Sequence, residues 1–93
     1  MKISNEKKQK ISEQILAYLF SVSPKPIFTA HIAREIARDE EFTKKLLKDL
    51  KSKKLVIEIK KNPKGVDYTK RSRWKLSDKV YEAYKQLQLH KRI

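Results

Sequence analysis

The apolar residues of this chain change period after Lys54, and that change limits the folds open to it. Up to Lys54 they recur at helical spacing. From Leu55 they alternate, with Leu55, Ile57 and Ile59 on one side and Val56, Glu58 and Lys60 on the other, the pattern of a half-buried strand whose first set faces the core. Asn62-Pro63-Lys64-Gly65 then reads as a turn, with proline at its second position and the chain's only glycine at its end. A second strand follows over about Ser72 to Leu76, with Trp74 and Leu76 on one face and Arg73 and Lys75 on the other. Helical spacing returns after Ser77. A hairpin between helices is therefore expected, and 93 residues leave room for one domain, with its folded core over about 5–89.

The first helix runs from about Asn5 to Val22, capped by Ser4 or Asn5, with Ile11, Ile15, Tyr18, Leu19 and Val22 as its apolar stripe. Pro24-Lys25-Pro26 ends it, because a residue ahead of proline is pushed out of helical geometry. Ile27-Phe28 suits a short strand. Thr29 reads as the N-cap of a second helix, Ala30 to about Ala37, with Ala33, Ile36 and Ala37 inward and His31, Arg34 and Arg38 outward. Asp39 reads as the cap of a third helix, Glu40 to about Lys53. It buries Phe42, Leu46, Leu47 and Leu50 and turns Glu41, Lys44, Lys48 and Lys51 outward. Ser77 caps the last helix, Asp78 to about Leu89, whose apolar stripe is Val80, Tyr81, Tyr84 and Leu87. The fold class is α+β, mostly helical.

Charge and missing residue types narrow the function. Lys and Arg number 24 against 11 Asp and Glu, a net charge of +13. Self-repulsion makes that excess a cost to folding, and a bound polyanion, most commonly nucleic acid, offsets it. Hyperthermophile surfaces are also Lys-rich, but they enrich both signs together. Without cysteine there is no disulfide, no thiolate nucleophile and no Cys-type zinc site, which fits a reducing compartment. His31 and His90 have no carboxylate at ligand spacing, so neither a metal nor a cofactor is expected. A Gly-rich phosphate loop, a paired-carboxylate motif and a nucleophile elbow are all missing, so the chain is not expected to be an enzyme or to take a small-molecule substrate. No segment is apolar enough to span a bilayer, and no signal-peptide stretch follows Met1. A cytoplasmic, nucleoid-associated protein with no membrane partner is expected.

The segment Thr29 to Ala37 followed by Phe42 to Leu50, then Lys53-Lys54-Leu55-Val56 and Arg73-Trp74-Lys75-Leu76-Ser77, resembles the winged helix-turn-helix superfamily over about residues 10 to 88, especially small archaeal-type transcriptional regulators. The resemblance implies the order helix, short strand, helix, helix, two-stranded wing, C-terminal helix. It also implies double-stranded DNA as partner, with the third helix in the major groove and the wing on flanking backbone or minor groove. Three positions depart from the pattern. Ala37-Arg38 stands where the turn between the second and third helices often has glycine. Thr43 stands where an apolar residue is expected, and Lys53 or Lys54 where glycine commonly follows the recognition helix.

Lys44, Lys45, Lys48 and Lys51 are candidates for groove contacts, since a basic helix face fits the major groove. The third helix has no Arg, Asn or Gln, the usual makers of bidentate base contacts, so its sequence discrimination is expected to be weak. Such a face also suits plain solvation. In the wing, Lys60, Lys61, Lys64, Lys70, Arg71, Arg73 and Lys75 face only Asp67. They suit phosphate or a narrow minor groove, and they would equally discourage edge-to-edge strand pairing. Arg34 and Arg38 suit phosphates beside the second helix, or ion pairs with Glu35 or Glu41. Trp74 reads as a core residue under the wing, and Tyr68 as a residue near the wing tip. Tyr81, Tyr84 and Leu87, with Leu16 and Phe20 of the first helix, suggest a homodimer interface as well as a monomer core. The same basic surface suits an RNA- or ribosome-associated or architectural protein, and winged helices also serve as protein-interaction adaptors.

Overall fold

Each element forms where the apolar period requires it, and the ends are set by specific caps. The computed structural model describes residues 4–60 and 72–90, side chains excepted at the last two positions. Helix α1 spans Asn5–Val22, with the Ser4 side chain accepting from the Lys7 N–H; α2 spans Thr29–Glu35, α3 Glu40–Ser52 and α4 Asp78–His90. Three short strands, β1 (Ile27–Phe28), β2 (Val56–Ile59) and β3 (Arg73–Leu76), form one antiparallel sheet in the order β1-β3-β2. This is the winged helix-turn-helix arrangement.

The core lies between the helices and the inner sheet face. Ile15, Leu19, Ile32, Leu47 and Trp74 are fully buried in it, joined by Ile11, Ile27, Leu46, Leu50, Val56, Leu76 and Val80. Truncating one of the central leucines to alanine removes about 2–5 kcal/mol in such a setting. Trp74 is core, and its indole N–H donates to the Thr29 hydroxyl at 2.7 Å. That bond corrects the reading of Thr29 as an N-cap: its hydroxyl is taken by the indole, Thr29 is the first residue of α2, and Phe28 stands at the cap with no side-chain bond.

The two turns where glycine was missing are the two places among the described residues where a non-glycine backbone turns left-handed. Ala37, expected on the inner stripe of α2, instead lies past the end of that helix, exposed and with φ 56°, because it closes the turn rather than continuing the helical face. Lys54 has φ 63°. Both close the same terminating turn. Arg38 N–H returns to the Ala33 carbonyl and Ala37 N–H to Arg34, while Leu55 N–H returns to Leu50 and Lys54 N–H to Lys51. A Cβ in this region costs energy that glycine avoids.

The phase of β2 is the opposite of that expected. Leu55 is used to close α3, so the strand begins at Val56, which is buried, while Ile57 is 40% exposed. The register pairs Val56 with Leu76 and Glu58 with Trp74, so Glu58 shares the inner face with the tryptophan. Ile57, opposite Lys75, turns outward.

Candidate nucleic-acid interface

The start of α3 is anchored from below. Asp39 accepts from the Phe42 N–H at 3.1 Å, and the Thr43 hydroxyl, fully buried, donates to the Asp39 carbonyl at 2.8 Å. Thr43 thus occupies its expected apolar place by satisfying its hydroxyl within the helix, and Phe42 beside it is only half-buried. On the other side of this first stretch Lys44 and Lys45 are exposed, and neither enters an ion pair among the described residues. Glu40 and Glu41 lie in the same first turn, where they favour the helix dipole and dilute the positive field.

One turn further on, the lysines are held. The Lys51 ammonium donates to Glu58 Oε1 at 2.8 Å, and Lys48 donates to Oε1 at 3.1 Å and Oε2 at 3.3 Å. The Ser72 hydroxyl donates to Glu58 Oε2 at 2.5 Å. The Glu58 side chain is 1% exposed, whereas those of Lys48 and Lys51 are 44% and 48% exposed. Burial alone would raise the Glu58 carboxyl, but hydrogen bonds from Lys51, Ser72 and Lys48, with the charge of Lys48, bring it down to about 2. The Lys48 ammonium also lies 6.0 Å from the Trp74 ring centroid. Sequence reasoning missed Glu58 because it assigned the residue to the outward side of β2. The signal that could have found it is the parity it shares with Val56 once Leu55 is given to the helix turn.

Around this helix, Arg34 and Arg38 are exposed, and neither pairs with Glu35 or Glu41; Glu35 instead lies 3.8 Å from His31. Arg73 is half-buried, its guanidinium 5.9 Å from the Phe28 ring on the outer sheet face. Lys61, Lys64, Lys70, Arg71 and Tyr68 lie outside the described residues. The structure therefore brings Lys48 and Lys51 together at Glu58 and places Arg34, Arg38, Lys44 and Lys45 on the exposed surface of the helix-turn-helix. No group of three His, Cys, Asp or Glu side chains suited to a metal occurs among the described residues, and none of their helices is long and apolar enough to cross a membrane.

The apolar stripe of α4 is partly used within the chain. Phe20 packs on Tyr81 and Tyr84 with ring centroids 5.5 and 5.4 Å apart, and Leu87 stays 58% exposed. Burial, with Glu13 nearby, raises the Tyr84 phenol above its ordinary pKa. A groove of about 880 Å³ runs between α1 and α3, floored by Leu16, Leu46, Leu50 and Leu55 and rimmed by Lys8, Lys45 and Lys53.

The sequence matches no protein-family model and no curated protein. Among solved structures the chain is similar to S. aureus MepR in a complex with DNA, at 20% identity and a TM-score of 0.68, over 94% of this chain and 75% of that one. It is similar to a mutant of Lactococcus lactis ZitR in apo form at 21% identity and a TM-score of 0.68, over 91% of this chain. A Ralstonia eutropha protein aligns at 16% identity with a TM-score of 0.65, over 84% of this chain and 94% of its own. The chain spans 59% of the length of the ZitR mutant and of a MepR mutant, so it corresponds to part of those proteins. At these identities the likeness establishes the winged-helix fold.

Proposed function

We propose that this chain binds double-stranded DNA and serves as a transcriptional regulator that acts by occupying its site. The likeness to the MepR chain in complex with DNA carries this reading. The exposed cations of the helix-turn-helix and the net charge of +13 support it. In this reading α3 enters the major groove through its first half, where Lys44 and Lys45 reach base edges and phosphates. Arg34 and Arg38 hold phosphates as α2 crosses the backbone. Lys61, Lys64, Lys70 and Arg71, which lie between β2 and β3 in sequence, and Arg73 of β3 hold flanking phosphates, which bind all sequences alike.

The reading includes a homodimer. Tyr81 and Tyr84 are already half covered by Phe20, and Leu87 extends the same stripe into solvent, where a second copy would cover it. Two copies double the contacts and favour a palindromic operator. Sedimentation at tens of micromolar tests this, with a dimer expected; a monomer mass would contradict it.

Binding of duplex DNA, hairpin RNA and heparin across a salt series tests the functional reading. With about six cations on phosphates, duplex affinity falls roughly a thousandfold between about 50 and 200 mM salt. A flat response would contradict phosphate binding, and equal affinity for all three polyanions would replace the regulator with a sequence-tolerant coating protein.

A further inference from the structure

Among the described residues, Glu58 is the one acidic side chain that is not exposed. It lies on the inner sheet face opposite Trp74, and its partners come from two directions: Lys48 and Lys51 from α3, and Ser72 from the residue leading into β3. One carboxylate thus ties the third helix to both strands of the hairpin. It also sets one negative charge against two positive ones on the helix proposed to enter the groove.

Resting on the DNA-binding reading, we propose that Glu58 is a specificity-determining residue: it stands in for a phosphate within the protein and withholds Lys48 and Lys51 from the DNA backbone. A phosphate reaching these lysines finds their charge partly neutralised even where an ammonium N–H stays free, and to take them over entirely it would have to displace a carboxylate already 3.1 Å from Lys48 and 2.8 Å from Lys51. The carboxylate would then stay buried with only the Ser72 hydroxyl, and stripping partners from a buried charge is unfavourable. A pair with one member out of water is also screened by salt less than a phosphate contact is. Phosphate contacts carry no sequence information, so withholding two of them lowers affinity for arbitrary duplex and leaves base contacts a larger share of the binding. The cluster keeps a net charge of +1, so the helix is still drawn to DNA.

Glu58→Gln tests this, because it keeps the shape and the acceptor for Ser72 while removing the charge. On random-sequence duplex between about 50 and 200 mM salt, the variant is expected to show a log–log slope steeper by one to two contacts, about 0.9 for each, and roughly tenfold tighter binding near 0.1 M. Adding Lys48→Ala and Lys51→Ala to E58Q is expected to return the slope to the wild-type value. A folded E58Q with an unchanged slope would overturn the proposal. Should E58Q fail to fold by circular dichroism, the ammonium resonances of the wild-type lysines decide. Those of Lys48 and Lys51 are expected to stay in place on saturation with duplex while those of Lys44 and Lys45 move; movement of the first pair would overturn the proposal. Wild-type protein that binds no duplex at the lowest salt would remove the DNA-binding reading itself, a result distinct from an unchanged E58Q slope.

Discussion

In the first half of α3, Lys44 and Lys45 stand in water above a helix start fixed by Asp39 and Thr43. In the second half, Lys48 and Lys51 lean onto Glu58 of β2. The four residues are of one type, on one exposed helix surface, within two turns. They differ in what the neighbouring element offers: solvent in one half, a buried carboxylate in the other. A count of lysines therefore overstates the charge that a helix can present to a partner. Across Glu40–Ser52 four lysines already face Glu40, Glu41 and Asp49, and Glu58 adds a fourth acid from outside the helix.

The largest effect expected from this contrast is on acid stability. The Glu58 carboxyl is lowered from 4.5 to about 2, so its stabilisation is fully present above pH 4.5 and is lost as pH falls toward 2. The shift corresponds to about 3 kcal/mol at most. Denaturant unfolding at steps from about pH 6 to 2 is expected to show wild type losing more stability than E58Q by roughly that amount. Parallel curves would mean that the second half of α3 is not anchored by this carboxylate.

A smaller effect sharpens the comparison from the other end of the helix. Asp39→Ala is expected to cost about 1 kcal/mol through the lost cap. Combined with E58Q, the two costs are expected to add within about 0.5 kcal/mol if the halves are anchored separately. A larger coupling in denaturant unfolding would make α3 one mechanical unit.

The smallest effects concern the residues flanking α3. Ala37→Gly and Lys54→Gly are each expected to stabilise the protein by about 0.5–1 kcal/mol, because both positions hold a left-handed backbone. Calorimetric melting checks this, and a lowered melting temperature for either variant would contradict it.

The order of elements was legible because the apolar period reports which residues can share a buried face. The left-handed turns were marked in the sequence only as places where the winged-helix pattern lacks an expected glycine; that the backbone takes that conformation with Ala37 and Lys54 came from the structure. The phase of β2 was not legible. Leu55 and Ile57 suggest one inward face and Val56 another, and the choice depends on whether Leu55 belongs to the strand or to the turn that ends α3. That choice also decides Glu58. An acid in an alternating strand reads as solvent-facing unless the residues across from it are known, and Trp74, Lys48 and Lys51 come to it only through the tertiary fold. Thr29 was misread for a related reason, since the indole that takes its hydroxyl lies 45 residues away in sequence.

The contrast between the two halves of α3 is tested most directly by two paired variants on one random-sequence duplex. Lys44→Ala with Lys45→Ala is expected to weaken binding and to make the salt slope shallower by about two contacts, close to 1.8 in log–log units. Lys48→Ala with Lys51→Ala, made together with E58Q so that no carboxylate is left buried without partners, is expected to leave the slope near the wild-type value. Equal losses from the two pairs would contradict the account, and would mean that the lysines held by Glu58 reach the backbone as readily as those standing in water.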